Sequence, residues 1–215
     1  MKHGAIFDMD GTLLDTEKFY TRGWIEVADK FNLERKPEIA NAMRGTGLKF
    51  MPDILKKFYP NVDPQKYVSL VLEFCKEETE KNLQLMDGVK EILEFMKSQN
   101  ILMAVASSSI KKSVEENLRR TDIKKYFNAI IGGDEVAKGK PEPDIFLKAA
   151  EELKISPNDC YVFEDSFNGI IAGHSAGALT IMIPDQVQPN EEIKKICHIY
   201  KNMFEAMKAI QCGEI

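Results

Sequence analysis

From residue 86 onward the chain alternates between short, wholly apolar runs and amphipathic segments. That alternation constrains its fold more than any other feature. The runs are Ile101 to Ala106, Ala129 to Ile131, Cys160 to Phe163 and Leu179 to Ile183. Each stops abruptly, at Ser107-Ser108-Ser109, Gly132-Gly133, Glu164-Asp165 and Pro184-Asp185 respectively. Between them lie segments with helical spacing: Val89, Ile92, Leu93 and Met96, then Val114 and Leu118, then Ile145 to Leu153, then Ile170 to Ala172. A last amphipathic helix is expected over about Asn202 to Ile210. Strands apolar along their whole length are buried on both faces, which is the condition of a parallel sheet with helices on each side. Gly4-Ala5-Ile6-Phe7, ending at Asp8, is one more such run at the front of the chain. The expected fold is therefore α/β, with a Rossmann-like parallel sheet.

Between that first strand and the rest the pattern changes. Phe19, Trp24, Ile25, Ala28 and Phe31 recur at near-helical spacing, and Leu70, Val71, Phe74 and Cys75 make a second stripe. Pro37, Gly45, Pro52, Pro60 and Pro64 punctuate the region, and no strand signal occurs. A bundle of about four helices is expected here, inserted into the sheet domain. The resulting division is a core of residues 1–15 and 83–215 and a helical insertion of residues 16–82.

Composition narrows the partners. The chain has 215 residues, 44% hydrophobic and 29% charged, as in ordinary globular proteins. A net charge of −5 argues against a nucleic-acid surface, which needs a basic excess. No stretch reaches the roughly 18 apolar residues of a membrane span. The start, Met1 to Phe7, is too short and too soon acidic for a signal peptide, so a cytoplasmic location is expected. Cys75, Cys160, Cys197 and Cys212 form no C-x-x-C pair and lack a histidine at zinc-ligand spacing, so reduced thiols are expected.

Open parallel sheets bind ligands beyond the carboxyl ends of their strands. Here those ends supply Asp8-Met9-Asp10-Gly11-Thr12, Ser107, Lys140 within Gly139-Lys140-Pro141-Glu142-Pro143, and Glu164-Asp165. Taken singly, each has an ordinary reading: a turn, a helix cap or a solvated lysine. Taken together they gather carboxylates, a hydroxyl and an ammonium at one crevice. Clustered carboxylates repel unless a cation intervenes, and all-oxygen ligation suits Mg²⁺. With Mg²⁺ and Lys140 present, a phosphate dianion can approach. Asp8 can then attack phosphorus, and Asp10 can protonate the leaving oxygen and later activate water. Ser107, Ser108, Lys140 and backbone N–H groups near Gly11 are the candidate ligands of the phosphoryl oxygens.

These residues carry a family resemblance. The blocks Phe7-Asp8-Met9-Asp10-Gly11-Thr12-Leu13-Leu14-Asp15-Thr16-Glu17, Val105-Ala106-Ser107, Gly139-Lys140-Pro141-Glu142-Pro143-Asp144 and Val162-Phe163-Glu164-Asp165-Ser166 resemble the haloacid-dehalogenase-like superfamily. The branch is the one that includes β-phosphoglucomutase and small-metabolite phosphatases. Asn168-Gly169 and Ala176-Gly177 also fit it. The resemblance implies that the helical insertion is a mobile cap over the site. It also implies Mg²⁺ bound by Asp8, the backbone carbonyl of Asp10 and Asp165, with Glu164 beside it. The dehalogenases lack the second aspartate, so Asp10 argues against dehalogenation.

Within this branch the mutases carry a cap-hinge histidine where this chain has Tyr20. They also carry a cap arginine a few residues after a glycine equivalent to Gly45, where this chain reads Thr46-Gly47-Leu48-Lys49. A phosphatase of small phosphomonoesters is therefore expected, with a phosphomutase as the alternative and a monomer as the default state. Candidate cap contacts to substrate are Glu17, Tyr20, Trp24, Arg44 and Lys49. A phospho-accepting receiver domain is a remote alternative: such domains lack a helical insertion and place the acceptor aspartate on a later strand than the acidic pair.

Overall fold

The computed structural model describes all 215 residues. Six parallel strands form one sheet in the order β3-β2-β1-β4-β5-β6. They are β1 (Gly4–Phe7), β2 (Leu102–Ser107), β3 (Ala129–Gly132), β4 (Cys160–Glu164), β5 (Leu179–Met182) and β6 (His198–Ile199). Side chains alternate across the sheet, and β1 shows it plainly. Ala5 and Phe7 pack with Val89, Ile92, Val114, Leu118 and Met203, whereas Ile6 packs with Ile145, Phe146, Ala149 and Ala172 on the opposite face. One face is covered by α5 (Val89–Ser98), α6 (Lys111–Arg120) and α9 (Met203–Gln211). The other is covered by α7 (Asp144–Leu153) and α8 (Phe167–Ser175). This is the α/β architecture expected from the apolar runs. The edge strand β6 is the exception: one exposed and one partly buried residue carry no apolar run to announce it.

The region between β1 and α5 holds four helices, α1 (Glu17–Lys30), α2 (Glu38–Met43), α3 (Met51–Phe58) and α4 (Pro64–Asn82), and no strand. They bury an apolar cluster of their own, including Trp24, Val27, Ile39, Leu55, Tyr67 and Val71. The Tyr67 hydroxyl donates to the Trp24 carbonyl at 2.7 Å, and the two rings lie parallel with centroids 6.2 Å apart. Asp63 caps α4 by accepting from Lys66 N–H, with Pro64 in the first turn, where its missing N–H costs nothing. The chain leaves and re-enters the sheet region through two adjacent segments. Asp15 N–H donates to Gln84 O at 3.0 Å and Met86 N–H to Leu13 O at 3.0 Å.

No helix is long and apolar enough to cross a membrane. All four cysteines are free thiols.

Strand order places the site. The sequence builds outward from β1 through β2 to β3, then crosses to β4 on the other side of β1. The carboxyl ends of β1 and β4 thus flank a topological switch point, where helices diverge and a crevice opens. Phe7 is level with Phe163, so Asp8, one residue on, falls level with Glu164.

Candidate active site

Asp8 leaves β1 with its N–H donating to Phe163 O at 3.0 Å, which holds the residue in line with the sheet. Met9 turns into the core, so Asp8 and Asp10 face the crevice together. The chain then reverses: Leu13 N–H and Leu14 N–H both donate to Met9 O, and Gly11 N–H donates to Leu14 O at 2.8 Å. Gly11 takes φ +77°, and a Cβ there would lie 2.5 Å from Asp165 Oδ2. Both the backbone angle and the space call for glycine.

Lys140 is buried, and its ammonium lies 2.5 Å from Asp8 Oδ1, 2.5 Å from Glu164 Oε1 and 3.2 Å from Ala106 O. Burial pushes the ammonium toward neutrality, but Asp8 and Glu164 outweigh it and hold Lys140 charged. The other oxygen of Glu164 accepts from Asp165 N–H, Ser166 N–H and the Ser166 hydroxyl at 3.0 ± 0.1 Å. Ser166 also caps α8, accepting from Gly169 N–H. A Cβ at Gly169 would sit 1.8 Å from Glu164 Oε1, so that glycine is what lets Glu164 reach Lys140.

Asp165 is differently placed. It is 1% exposed, and its Oδ2 has no hydrogen-bond partner. Buried polar atoms are nearly always satisfied, so this oxygen is available to a ligand. Asp8, Glu164 and Asp165 each bring an oxygen within 4.8 Å of the others. Three buried carboxylates face one ammonium. Burial raises the Asp8 carboxyl well above its usual range, with Lys140 opposing. Burial likewise raises Asp165, reinforced by Glu17, Glu164 and Asp8. An all-oxygen donor set with excess negative charge fits Mg²⁺.

Asp10 is held by hydroxyls. Thr16 Oγ1 donates to its Oδ1 at 2.6 Å, and Ser109 Oγ donates to its Oδ2 at 3.1 Å. Burial raises its pKa, and these two hydrogen bonds pull it back. Ser107 is fully buried at the end of β2, and its hydroxyl accepts from Ser109 N–H at 3.1 Å. It does not cap α6, whose N-cap is Ile110. Ser108 donates to Gly45 O at 3.1 Å, across to the helical insertion.

The insertion covers these groups, leaving a cavity of about 50 Å³ lined by Asp8, Asp10 and Asp165 below and by Glu17, Tyr20, Trp24 and Arg44 above. Glu17 and Arg44 form a buried ion pair at 2.8 Å. Arg44 also donates to Asn41 Oδ1 at 2.7 Å and Thr21 Oγ1 at 3.1 Å. Burial lifts the Glu17 carboxyl to about 7 despite Arg44. Lys49, expected as a substrate contact, is exposed outside this cavity, with its amine on the carbonyl of Ala137. Sequence reading missed Thr16 and Ser109. The signal for Ser109 lay in the triple serine, but nothing local says which of three adjacent hydroxyls reaches Asp10.

The sequence model of haloacid dehalogenase-like hydrolases matches residues 5–183. The chain belongs to the haloacid dehalogenase-like hydrolase family. Its relatives in that family include a phosphatase and a mutase. A phosphorylated carbohydrates phosphatase of Thermotoga maritima is 35% identical over 80% of this chain and 81% of its own. A β-phosphoglucomutase of Bacillus subtilis is 31% identical over 86% of this chain and 84% of its own. Among solved structures, a β-phosphoglucomutase of Clostridium difficile has the same fold, with a TM-score of 0.84 over 100% of this chain and 96% of its own at 22% identity. Asp8, Asp10, Ser107, Lys140 and Asp165 all fall inside the matched residues.

Proposed function

We propose that this chain is a Mg²⁺-dependent phosphatase of small phosphomonoesters, sugar phosphates or similar metabolites, that works through an aspartyl-phosphate on Asp8. The observation that carries this reading is the buried Asp8–Lys140–Glu164 arrangement with Asp10 beside it at the ends of β1 and β4. Lys140 keeps Asp8 oriented and offsets its charge as a phosphate approaches. Asp8 attacks phosphorus while the bond to the leaving oxygen breaks, and protonated Asp10 gives that oxygen its proton. Asp10, now ionised, takes a proton from water. The water oxygen bonds to phosphorus, the bond to Asp8 breaks, and phosphate departs. Ser107, Ser108, Lys140 and the N–H groups near Gly11 bind the non-bridging oxygens. Asp8, the Asp10 carbonyl and Asp165 would hold Mg²⁺, with Glu164 beside them; when bound, the ion neutralises charge on the phosphoryl oxygens. Residues 16–82 act as a cap that opens to admit substrate and product.

Phosphatase is favoured over mutase by the state of the cap cations. A mutase must grip a second phosphate. Arg44 is already committed to Glu17, Asn41 and Thr21, and Lys49 lies outside the cavity. With β-glucose 1-phosphate and a catalytic bisphosphate, a time course is expected to show free phosphate released and little glucose 6-phosphate formed. Small phosphomonoesters should be hydrolysed without any bisphosphate. Fast isomerisation with negligible phosphate would establish the mutase instead.

Metal dependence has a thermal signature. Asp8 and Asp165 have raised folded-state pKa values. Such groups stabilise the metal-free fold below their unfolded pKa of about 3.9 and lose that contribution as pH rises through the folded values. Mg²⁺ relieves the ionised cluster, so its stabilising effect should grow with pH. The midpoint shift on adding Mg²⁺ is expected to be larger at pH 8 than at pH 5, and excess chelator should stop turnover. A shift independent of pH, or full activity in chelator, contradicts the assignment.

A further inference from the structure

Asp8 and Asp10 sit two residues apart yet are held by different chemistry. Asp8 is paired with an ammonium, whereas each oxygen of Asp10 receives a hydroxyl. We propose that Ser109 is a positioning residue that keeps Asp10 aligned for proton transfer to the leaving oxygen. This rests on the assignment of Asp10 as the acid–base group.

A hydroxyl suits that task. It donates to a carboxylate and accepts from a carboxylic acid, so one contact survives both protonation states of Asp10. An ammonium has no acceptor and would favour only the ionised form.

The two hydroxyls are anchored differently. Thr16 directly precedes α1, in the segment that leads into the helical insertion. Ser109 is tied to the sheet. Its N–H donates to the hydroxyl of Ser107, the last residue of β2. Its carbonyl accepts from Gly133 N–H at 2.8 Å, directly after β3. Gly133 packs so closely that a Cβ there would lie 2.4 Å from Ser108 O. Ser109 therefore presents its hydroxyl from a fixed platform. It is the hydroxyl that ties Asp10 to the ends of β2 and β3.

The test is a series of substituted phenyl phosphates whose leaving groups differ in their need for a proton. Phenyl phosphate needs help from an acid; p-nitrophenyl phosphate scarcely does. kcat/KM reports the steps through the first phosphoryl transfer, so later hydrolysis of the intermediate does not obscure it. Ser109→Ala is expected to lower kcat/KM about tenfold on phenyl phosphate and to leave p-nitrophenyl phosphate within about twofold of wild type. Ser109→Cys, which keeps the volume but is a weak donor, should behave like Ser109→Ala. Ser109→Thr, which keeps the hydroxyl, should restore most of the loss. An equal fall on both substrates, no fall on either, or full activity in Ser109→Cys overturns the proposal. Asp10→Asn is run alongside. If it too shows no dependence on the leaving group, the acid role of Asp10 fails; if it shows a steep one and the Ser109 variants do not, only the role of Ser109 fails.

Discussion

Exchange of Asp8 for Asn is expected to remove turnover, by a factor on the order of 10⁴ or more. The amide is nearly the same size and shape, so the change isolates chemistry from packing. An amide oxygen is a poor nucleophile, and the neutral group is a weaker ligand for a hard cation. Stability should move the other way. Asp8 belongs to a buried cluster with excess negative charge, and burial already disfavours its ionised form. Lys140 retains Glu164 as a partner at 2.5 Å, so it is not orphaned by the change. The metal-free variant is therefore expected to unfold at or above the wild-type midpoint. Purified Asp8→Asn is assayed for phosphate release and melted by circular dichroism in chelator. Activity above about one hundredth of wild type in a folded variant would remove Asp8 as the nucleophile.

Lys140→Met is expected to damage both fold and activity. Methionine keeps an unbranched stem of similar length but no charge. Asp8 and Glu164 are then left facing each other without a cation, in a place where neither is appreciably exposed. Breaking a buried ion pair from one side costs roughly 3–5 kcal/mol. The loss should be greatest at high pH and shrink as pH falls, because protonation of Asp8, already favoured by burial, removes unpaired charge. Denaturant titrations at pH 8 and pH 5 measure the difference. An equal loss at both would mean that Lys140 contributes by packing alone. Lys140→Arg is not expected to rescue turnover: a planar guanidinium cannot take the place of a compact ammonium seated 2.5 Å from two carboxylates.

The sheet was legible because of what surrounds it. Strands covered on both faces must be apolar throughout, so β1, β2, β3, β4 and β5 are visible as runs, and α1 and α4 of residues 16–82 as stripes. The strand β6 lies at an edge, half open, and its two residues obey no such requirement.

Once the strands are known, the residues at their carboxyl ends are known too, because parallel strands all point at one crevice. That is why Asp8, Asp10, Ser107, Glu164 and Asp165, and Lys140 in the loop after β3, stand out in the sequence as candidates. Their partners do not. The sequence holds nothing that links Arg44 to Glu17, 27 residues away, rather than to a substrate. It is equally silent on Ser109 reaching Asp10 across 99 positions, and on Lys49 resting on Ala137 instead of entering the cavity. Hydrophobic periodicity is a local property, imposed residue by residue by the need to bury one face. A hydrogen bond depends on positions to within a few tenths of an ångström between segments far apart in the chain. The sequence alone therefore determined the architecture and the kinds of chemical group at the site, while the tertiary structure decided which carboxylate meets the ammonium, which meets hydroxyls, and which is left with an oxygen free.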